Sequence, residues 1–413
     1  MVSLATLAAV LFLYSLVSAR LSARAITAPM VFVAAGLLLG PDVLGLFEFE
    51  LDSESGLLLA EIALVIVLFA DAARISPRAL GGNRNLPLRL LGIGMPLTIG
   101  LGVLVGALLL GHIEFWEAAI IAAVLAPTDA ALGQTVISSK RIPKRIRQAL
   151  NVESGLNDGL SIPFLFLFVG LAAAETELDA TSWITFAVQQ VGIGALVGVG
   201  IGLAGGSLLE RAMDKKLIKA PYQQLGLVGL AVAVWAIADQ LGGNGFIAAF
   251  TAGLAAGRIT PHTGEGIIDF TDDEGQLLNL IVFFTFGATA IGLLEPLTWQ
   301  IAVYGLLSLT LIRMIPVAIA TLGSGLRRST VLLIGWFGPR GLASIILGLV
   351  VVSEEPELPA LGTVVATMTF TVLVSVFAHG FSAAPLSRVY ARSLERDDGK
   401  AEMEAAPEVR IRT

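Results

Sequence analysis

The chain has no cysteine, so disulfides and thiolate metal sites are excluded. It is also poor in charge. Asp, Glu, Lys and Arg make up 14% of its 413 residues, where a soluble domain carries about 25%. It holds only three histidines. No metal-hydrolase cluster, nucleotide-binding loop or catalytic triad can be picked out. The run from Gly198 to Gly202 has glycines at alternate positions, but no strand precedes it, so it is no nucleotide fingerprint. Such glycines read instead as small-residue contacts between helices. An enzyme, a cofactor and a nucleic-acid partner are therefore not expected. No basic residue precedes the first apolar run and further runs follow it, so no cleavable signal is expected.

What the chain has in abundance is apolar sequence: 55% hydrophobic residues and a mean hydropathy of +0.84. An all-α polytopic membrane protein follows. Thirteen apolar runs can be marked, from about Leu4–Val17 to about Leu361–Pro385. With the N-terminus outside, every Lys and Arg except Arg313 and Arg340 falls on an inner loop or the C-terminal tail. This is the positive-inside pattern. The outer loops are acidic, with Glu48, Glu50, Asp52 and Glu54 in one and Glu354, Glu355 and Glu357 in another. They serve solubility or concentrate cations at an outer mouth. Residues 1–390 form one membrane domain, with core helices over roughly 57–172 and 277–385 and the remainder as scaffold. Residues 391–413 are a short charged cytoplasmic tail, expected to be poorly ordered.

The fifth run, about Ala118–Ile137, carries Pro127-Thr128-Asp129. Proline removes a backbone donor, so a helix there is broken. Seven runs later the twelfth, about Val331–Val352, carries Gly338-Pro339-Arg340-Gly341. An odd offset makes the two run in opposite directions. Paired broken helices in inverted repeats point to a transporter binding site. Two six-helix repeats with crossing helices are therefore expected, though proline and glycine are common in membrane helices and could coincide by chance.

Few ionisable groups lie at membrane depth: Asp71, Asp129, Glu153, Asp158, Arg313 and Arg340, with Glu61 nearer an end. Such groups are expensive there and mark ion or proton paths. Ser154 and Asp158 share one helix face, and Glu153 and Asn157 the next. Glu153 with Arg313 reads as a structural ion pair, and Arg340 at its break as a neutraliser of helix C-termini. The four acids outnumber the two arginines, which leaves surplus negative charge. Asp129 and Asp158 read as carboxylates that hold either a proton or a cation, never both. Thr128 and Ser154 offer neutral oxygens to a hard cation such as Na+, or only back-bond to their own helices. Asp71 reads as an interfacial acid beside Arg74 or as a third acid at the inner mouth. His379 reads as a helix-packing polar group, with pH sensing as the alternative.

Together, PTDA at 127–130, ESGLNDG at 153–159, GNGFIAAFTAGL at 243–254, FFTFGATA at 283–290 and GPRG at 338–341 resemble the monovalent cation/proton antiporters, in their NhaP-type sodium/proton exchanger branch. The likeness covers nearly the whole chain. It implies thirteen spans, a homodimer in the lipid bilayer of a bacterial or archaeal inner membrane, and a cytoplasmic C-terminus. It implies that Asp158 carries the exchanged ion, with Asp129, Thr128 and Ser154 beside it. It implies that Glu153 and Arg313 pair, and that Arg340 steadies the crossing. Electrogenic relatives carry two adjacent aspartates where this chain has Asn157-Asp158, so one-for-one exchange of Na+ or Li+ for a proton is implied. Exchange of K+ for a proton is the nearest alternative. A non-exchanging channel or sensor on the same scaffold is a further one. Two positions depart from the family pattern: Ala130 replaces a frequent proline, and Asp71 lies where many relatives place Glu-Gly after the phenylalanine.

Overall fold

The computed structural model describes residues 2–24, 26–48, 54–73, 85–129, 132–137, 139, 141–177, 180–259, 264–354, 357–395 and 402. Ala130 and Arg74 lie outside the described residues. Among the described residues every regular element is helical, as the hydropathy predicts. In chain order they are α1 (Val2–Ala23), α2 (Ala28–Leu39), α3 (Glu54–Ala73), α4 (Asn85–Leu109), α5 (Phe115–Val124), α6 (Gln134–Ile137), α7 (Lys144–Glu177) and α8 (Ala180–Asp214). There follow α9 (Ala220–Gln240), α10 (Gly245–Ile259), α11 (Gly264–Leu293), α12 (Trp299–Ala320), α13 (Arg328–Trp336), α14 (Leu342–Glu354) and α15 (Leu361–Glu395). Seven of these are long and apolar enough to cross a bilayer: α1, α4, α7, α8, α9, α12 and α15. Shorter apolar helices accompany them.

Local chemistry explains the starts, bends and stops. Pro29 and Pro221 sit in the first turns of α2 and α9, where a missing N–H is harmless. Pro96 lies inside α4, and the turn just before it widens to a π-turn over Leu90–Gly94. α12 breaks at Thr310, whose φ and ψ are −117° and −97°. That break puts Arg313 on the first turn of the helix's second half. α9 ends on Gly242, whose φ of 74° favours glycine.

Glycine then decides which helices touch backbone to backbone. Lipid tails are as apolar as leucine, so membrane helices associate by close packing of small residues. Gly194, Gly198, Gly202 and Gly206 of α8 lie four apart and meet Asn244, Ala248, Ala252 and Ala256 around α10. A β-carbon at Gly202 would lie 2.6 Å from the Ala252 carbonyl oxygen. Gly253 and Gly257 of α10 meet the backbone of α3 at Phe69 and Ala73. Gly36 and Gly40 of α2 meet the backbone of α11 in the same way. In α4, Gly102 and Gly106 receive Ala122 and Ala118 of α5. Two further contacts are different in kind. Gly159 of α7 receives the ring of Phe250 from α10, and Gly380 of α15 receives the thioether of Met30 from α2.

α15 runs as helix to Glu395, into the segment expected to be poorly ordered. Beyond it Glu402 is buried, and its Oε1 accepts from the Arg327 N–H and the Thr330 hydroxyl, both at 2.9 Å. Arg327 is the N-cap residue of α13. The tail carboxylate therefore caps that helix where the macrodipole favours a negative charge.

Candidate ion site

The site is built where two interrupted helices meet α7. α5 ends at Val124, and the chain runs unwound through Pro127, Thr128 and Asp129 before α6. α13 ends at Trp336, and the chain runs unwound through Gly338, Pro339 and Arg340 before α14. The two breaks bond to each other: the Asp129 N–H donates to the Pro339 carbonyl at 2.7 Å. Gly338 and Gly341 leave room for this approach. A β-carbon on Gly338 would press on the Arg313 guanidinium and the Thr128 methyl, and one on Gly341 would strike the Asp129 carboxylate.

Each break leaves helix ends to be neutralised. Arg340 Nη1 donates to the Ala126 carbonyl and, at 3.0 Å, to the Pro127 carbonyl, at the C-terminal end of α5. Asp129 serves the opposite ends. Its Oδ2 accepts the Leu342 N–H at 2.9 Å, at the start of α14. Its Oδ1 accepts the Leu132 N–H at 3.4 Å, just before α6. Placing a cation at C-termini and an anion at N-termini complements both macrodipoles. Arg340 is fully buried and Asp129 is 8% exposed.

α7 closes the site. Ser154 Oγ donates to the Thr128 carbonyl at 2.5 Å. Asn157 Nδ2 donates to Thr128 Oγ1 at 2.7 Å. Ser154 and Asn157 are three apart, so both meet the break from one side. Asn157 thus turns to Thr128 and not to a structural partnership beside Glu153. Its Oδ1 is buried and accepts no hydrogen bond among the described residues. Glu153 Oε1 lies 2.5 Å from Arg313 Nη2, with both side chains 2% exposed. A small cleft is lined by Thr128, Asp129, Ser154, Phe337 and Pro339, and by Gly133, Val136, Ile137 and Leu150.

Asp158 is half-buried one turn beyond Ser154 on α7, and its carbonyl accepts from Ser161 at 2.7 Å. It does not line the cleft. Asp71 of α3 is half-buried too, and a β-carbon on Gly155 would lie 3.9 Å from its own. α3 thus brings Asp71 beside the turn that carries Ser154. The sequence reading missed Ser375. It accepts the Arg340 N–H at 2.6 Å. Its place four residues before His379, on one face of a helix, was the available signal.

The chain as a whole is similar to known proteins. A family profile described as "Sodium/hydrogen exchanger, transmembrane" matches residues 6–389. The chain is 28% identical over 397 residues to the K(+)/H(+) antiporter NhaP of Alkalimonas amylolytica, covering 94% of this chain and 67% of that protein. It is 27% identical over 393 residues to the K(+)/H(+) antiporter NhaP2 of Shewanella sp. (strain ANA-3), covering 93% and 66%. It thus spans about two thirds of the length of these relatives. The fold is similar to that of the sodium proton antiporter MjNhaP1 from Methanocaldococcus jannaschii, with a TM-score of 0.78 and 22% identity over 94% of this chain and 98% of that one. A profile that spans all but the ends of the chain, on a helical fold with these two crossing breaks, places the protein in the sodium/hydrogen exchanger family of multi-pass membrane proteins.

Proposed function

We propose that this protein exchanges one monovalent alkali cation, Na+ or Li+, for one proton, by alternating access. One observation carries the reading. At the crossing of two interrupted helices, a carboxylate, a threonine and a serine line a single cleft. Hard cations take oxygen ligands of these kinds. Asp129 has both carboxylate oxygens engaged by backbone N–H groups, so it acts as the fixed charge of the frame. We assign the exchange itself to Asp158, which stands outside the cleft lining but one turn along α7 from the cleft-lining Ser154, as the carboxylate that takes up the proton or the cation in turn. Asn157 contributes an amide where a second acid would stand, so one cation for one proton moves no net charge. Glu153, Arg313 and Arg340 hold the frame, and Asp71 is an accessory acid at its edge.

The motion sets one packed group against another. α4 to α7 and α12 to α15 form the moving core, while α1 to α3 and α8 to α11 form the scaffold and the homodimer contact. This core is narrower than the ranges read from the sequence. α3 and α11 are joined to the other group by backbone contacts of glycine. The cleft walls Val136, Ile137 and Leu150 flank the basic segment 140–147. Basic segments face the cytoplasm, so the cleft opens inward, with the N-terminus outside and the C-terminus in the cytoplasm of a prokaryotic cell.

K+ is the second reading, favoured by the names of the bacterial relatives, both K(+)/H(+) antiporters. Reconstituted vesicles loaded with a pH-sensitive dye decide. Adding Na+, Li+ or K+ releases protons from vesicles that hold the wild type, and the ion that acts at lowest concentration is the substrate. Loss of all release in Asp158→Asn supports the assignment; full release in that variant ends it.

A further inference from the structure

α15 is unbroken and offers the transport site no carboxylate, yet it holds both ends of the second break. Its His379 is fully buried. His379 Nε2 lies 2.9 Å from the Trp336 carbonyl, at the end of α13. A carbonyl only accepts, so Nε2 carries the proton. His379 Nδ1 lies 3.1 Å from Ser375 Oγ and 3.0 Å from the Ser375 carbonyl one turn back. Ser375 Oγ in turn accepts the Arg340 N–H at 2.6 Å, so its own proton turns to Nδ1. With the proton on Nε2 the links run from the Arg340 N–H to Ser375, from the Ser375 O–H to His379, and from the His379 N–H to Trp336. The Trp336 indole lies beside the imidazole, 5.0 Å between centroids, and donates to Ser382 at 2.9 Å. A chain of three side chains on one rod thus spans the unwound peptide from Trp336 to Arg340.

That peptide supplies the Pro339 carbonyl that accepts the Asp129 N–H, the Arg340 charge, and two walls of the cleft. We propose that His379 is a positioning residue of the ion site: through Ser375 and the Trp336 carbonyl it sets where residues 337–341 stand against Asp129. The proposal rests on the transport reading above for its effect on cation use. Packing alone would need only the ring's bulk. The three hydrogen bonds need a donor at Nε2, and a glutamine amide can supply one at similar reach.

Three variants test it in the full-length protein: His379→Leu, His379→Gln and Ser375→Ala. The first readout is the KM for the driving cation against the maximal exchange rate in dye-loaded vesicles. His379→Leu should raise KM by about three- to tenfold, the range of one lost hydrogen bond, with the maximal rate little changed. His379→Gln should stay near wild type, and Ser375→Ala should follow the leucine variant. The second readout is amide hydrogen exchange of residues 337–341 and Asp129 in detergent, which needs no transport. Protection should fall in His379→Leu and return in His379→Gln. If leucine and glutamine behave alike in both readouts, the ring only fills space and the proposal is overturned. If His379→Leu does not survive purification, Ser375→Ala decides, and wild-type KM and protection there overturn it. A wild type that exchanges no cation for protons sinks the transport reading instead, and the hydrogen-exchange arm still judges the anchor.

Discussion

Removing Glu153 should destabilise the protein strongly, and the structure indicates why. Glu153 and Arg313 join α7 to α12 across 160 residues of sequence at 2.5 Å. Both are 2% exposed, so neither charge can turn to water. Arg313 Nε already has no partner among the described residues. Arg340 is close enough for the two guanidinium groups to repel, and Glu153 is the anion that offsets both. In Glu153→Ala the buried Arg313 would lose this partner, while Arg340 would keep the Ala126 and Pro127 carbonyls. Breaking a buried pair in this way costs about 3–5 kcal/mol. Replacing both members by apolar residues is milder, since no orphan charge remains. Glu153→Leu combined with Arg313→Met should therefore recover much of the loss. The assay is equilibrium unfolding in mixed micelles, driven by rising SDS fraction and followed by tryptophan fluorescence. A loss below about 1 kcal/mol in Glu153→Ala, the scale of an exposed pair, would refute the reasoning. So would a double variant as unstable as the single one.

Other outcomes follow from the same geometry. Asp158→Asn should abolish cation-driven proton release while leaving the unfolding midpoint near wild type. Asn157→Asp adds a carboxylate facing Thr128 Oγ1. Exchange that survives it should become sensitive to an imposed membrane potential, measured with a potassium-diffusion clamp. Gly202→Val drives a side chain into the Ala252 backbone, so the yield of folded protein should collapse; ordinary yield would contradict the tight α8–α10 contact. Glu402→Ala removes the cap of α13 and should cost about 0.5–2 kcal/mol in the same micelle assay.

The helices are legible in the sequence because lipid demands apolar residues in long runs, and the two breaks are legible because proline cannot donate. The small-residue reading of Gly198 and Gly202 is likewise local, and both meet α10. Gly200, two positions on, faces open space, which alternation alone does not show. The site was legible as a list of residues more than as a set of contacts. Asp129 could be marked as a costly acid. That its two oxygens bond backbone N–H groups from two different half-helices depends on the crossing, which has no sequence spacing. Asn157 was grouped with Glu153 by helix arithmetic, and only the position of Thr128 pulls it aside. Ser375 and Trp336 carry no charge to draw notice, although one accepts from the Arg340 N–H and the other ends α13 at the break.

The Phe250 ring in the Gly159 notch and the Met30 thioether in the Gly380 notch have a mechanical consequence. Between α8 and α10, α10 and α3, and α2 and α11, carbonyls and α-carbons interlock like rivets, and sliding there would break main-chain packing. At Gly159 and Gly380 a swivelling ring and a pliant sulfur arm sit in a socket instead. They work as detents: each holds one setting, and each slips out by turning two or three side-chain torsions. A β-carbon added at Gly159 or Gly380 would therefore jam travel between the two halves before it harmed either half alone.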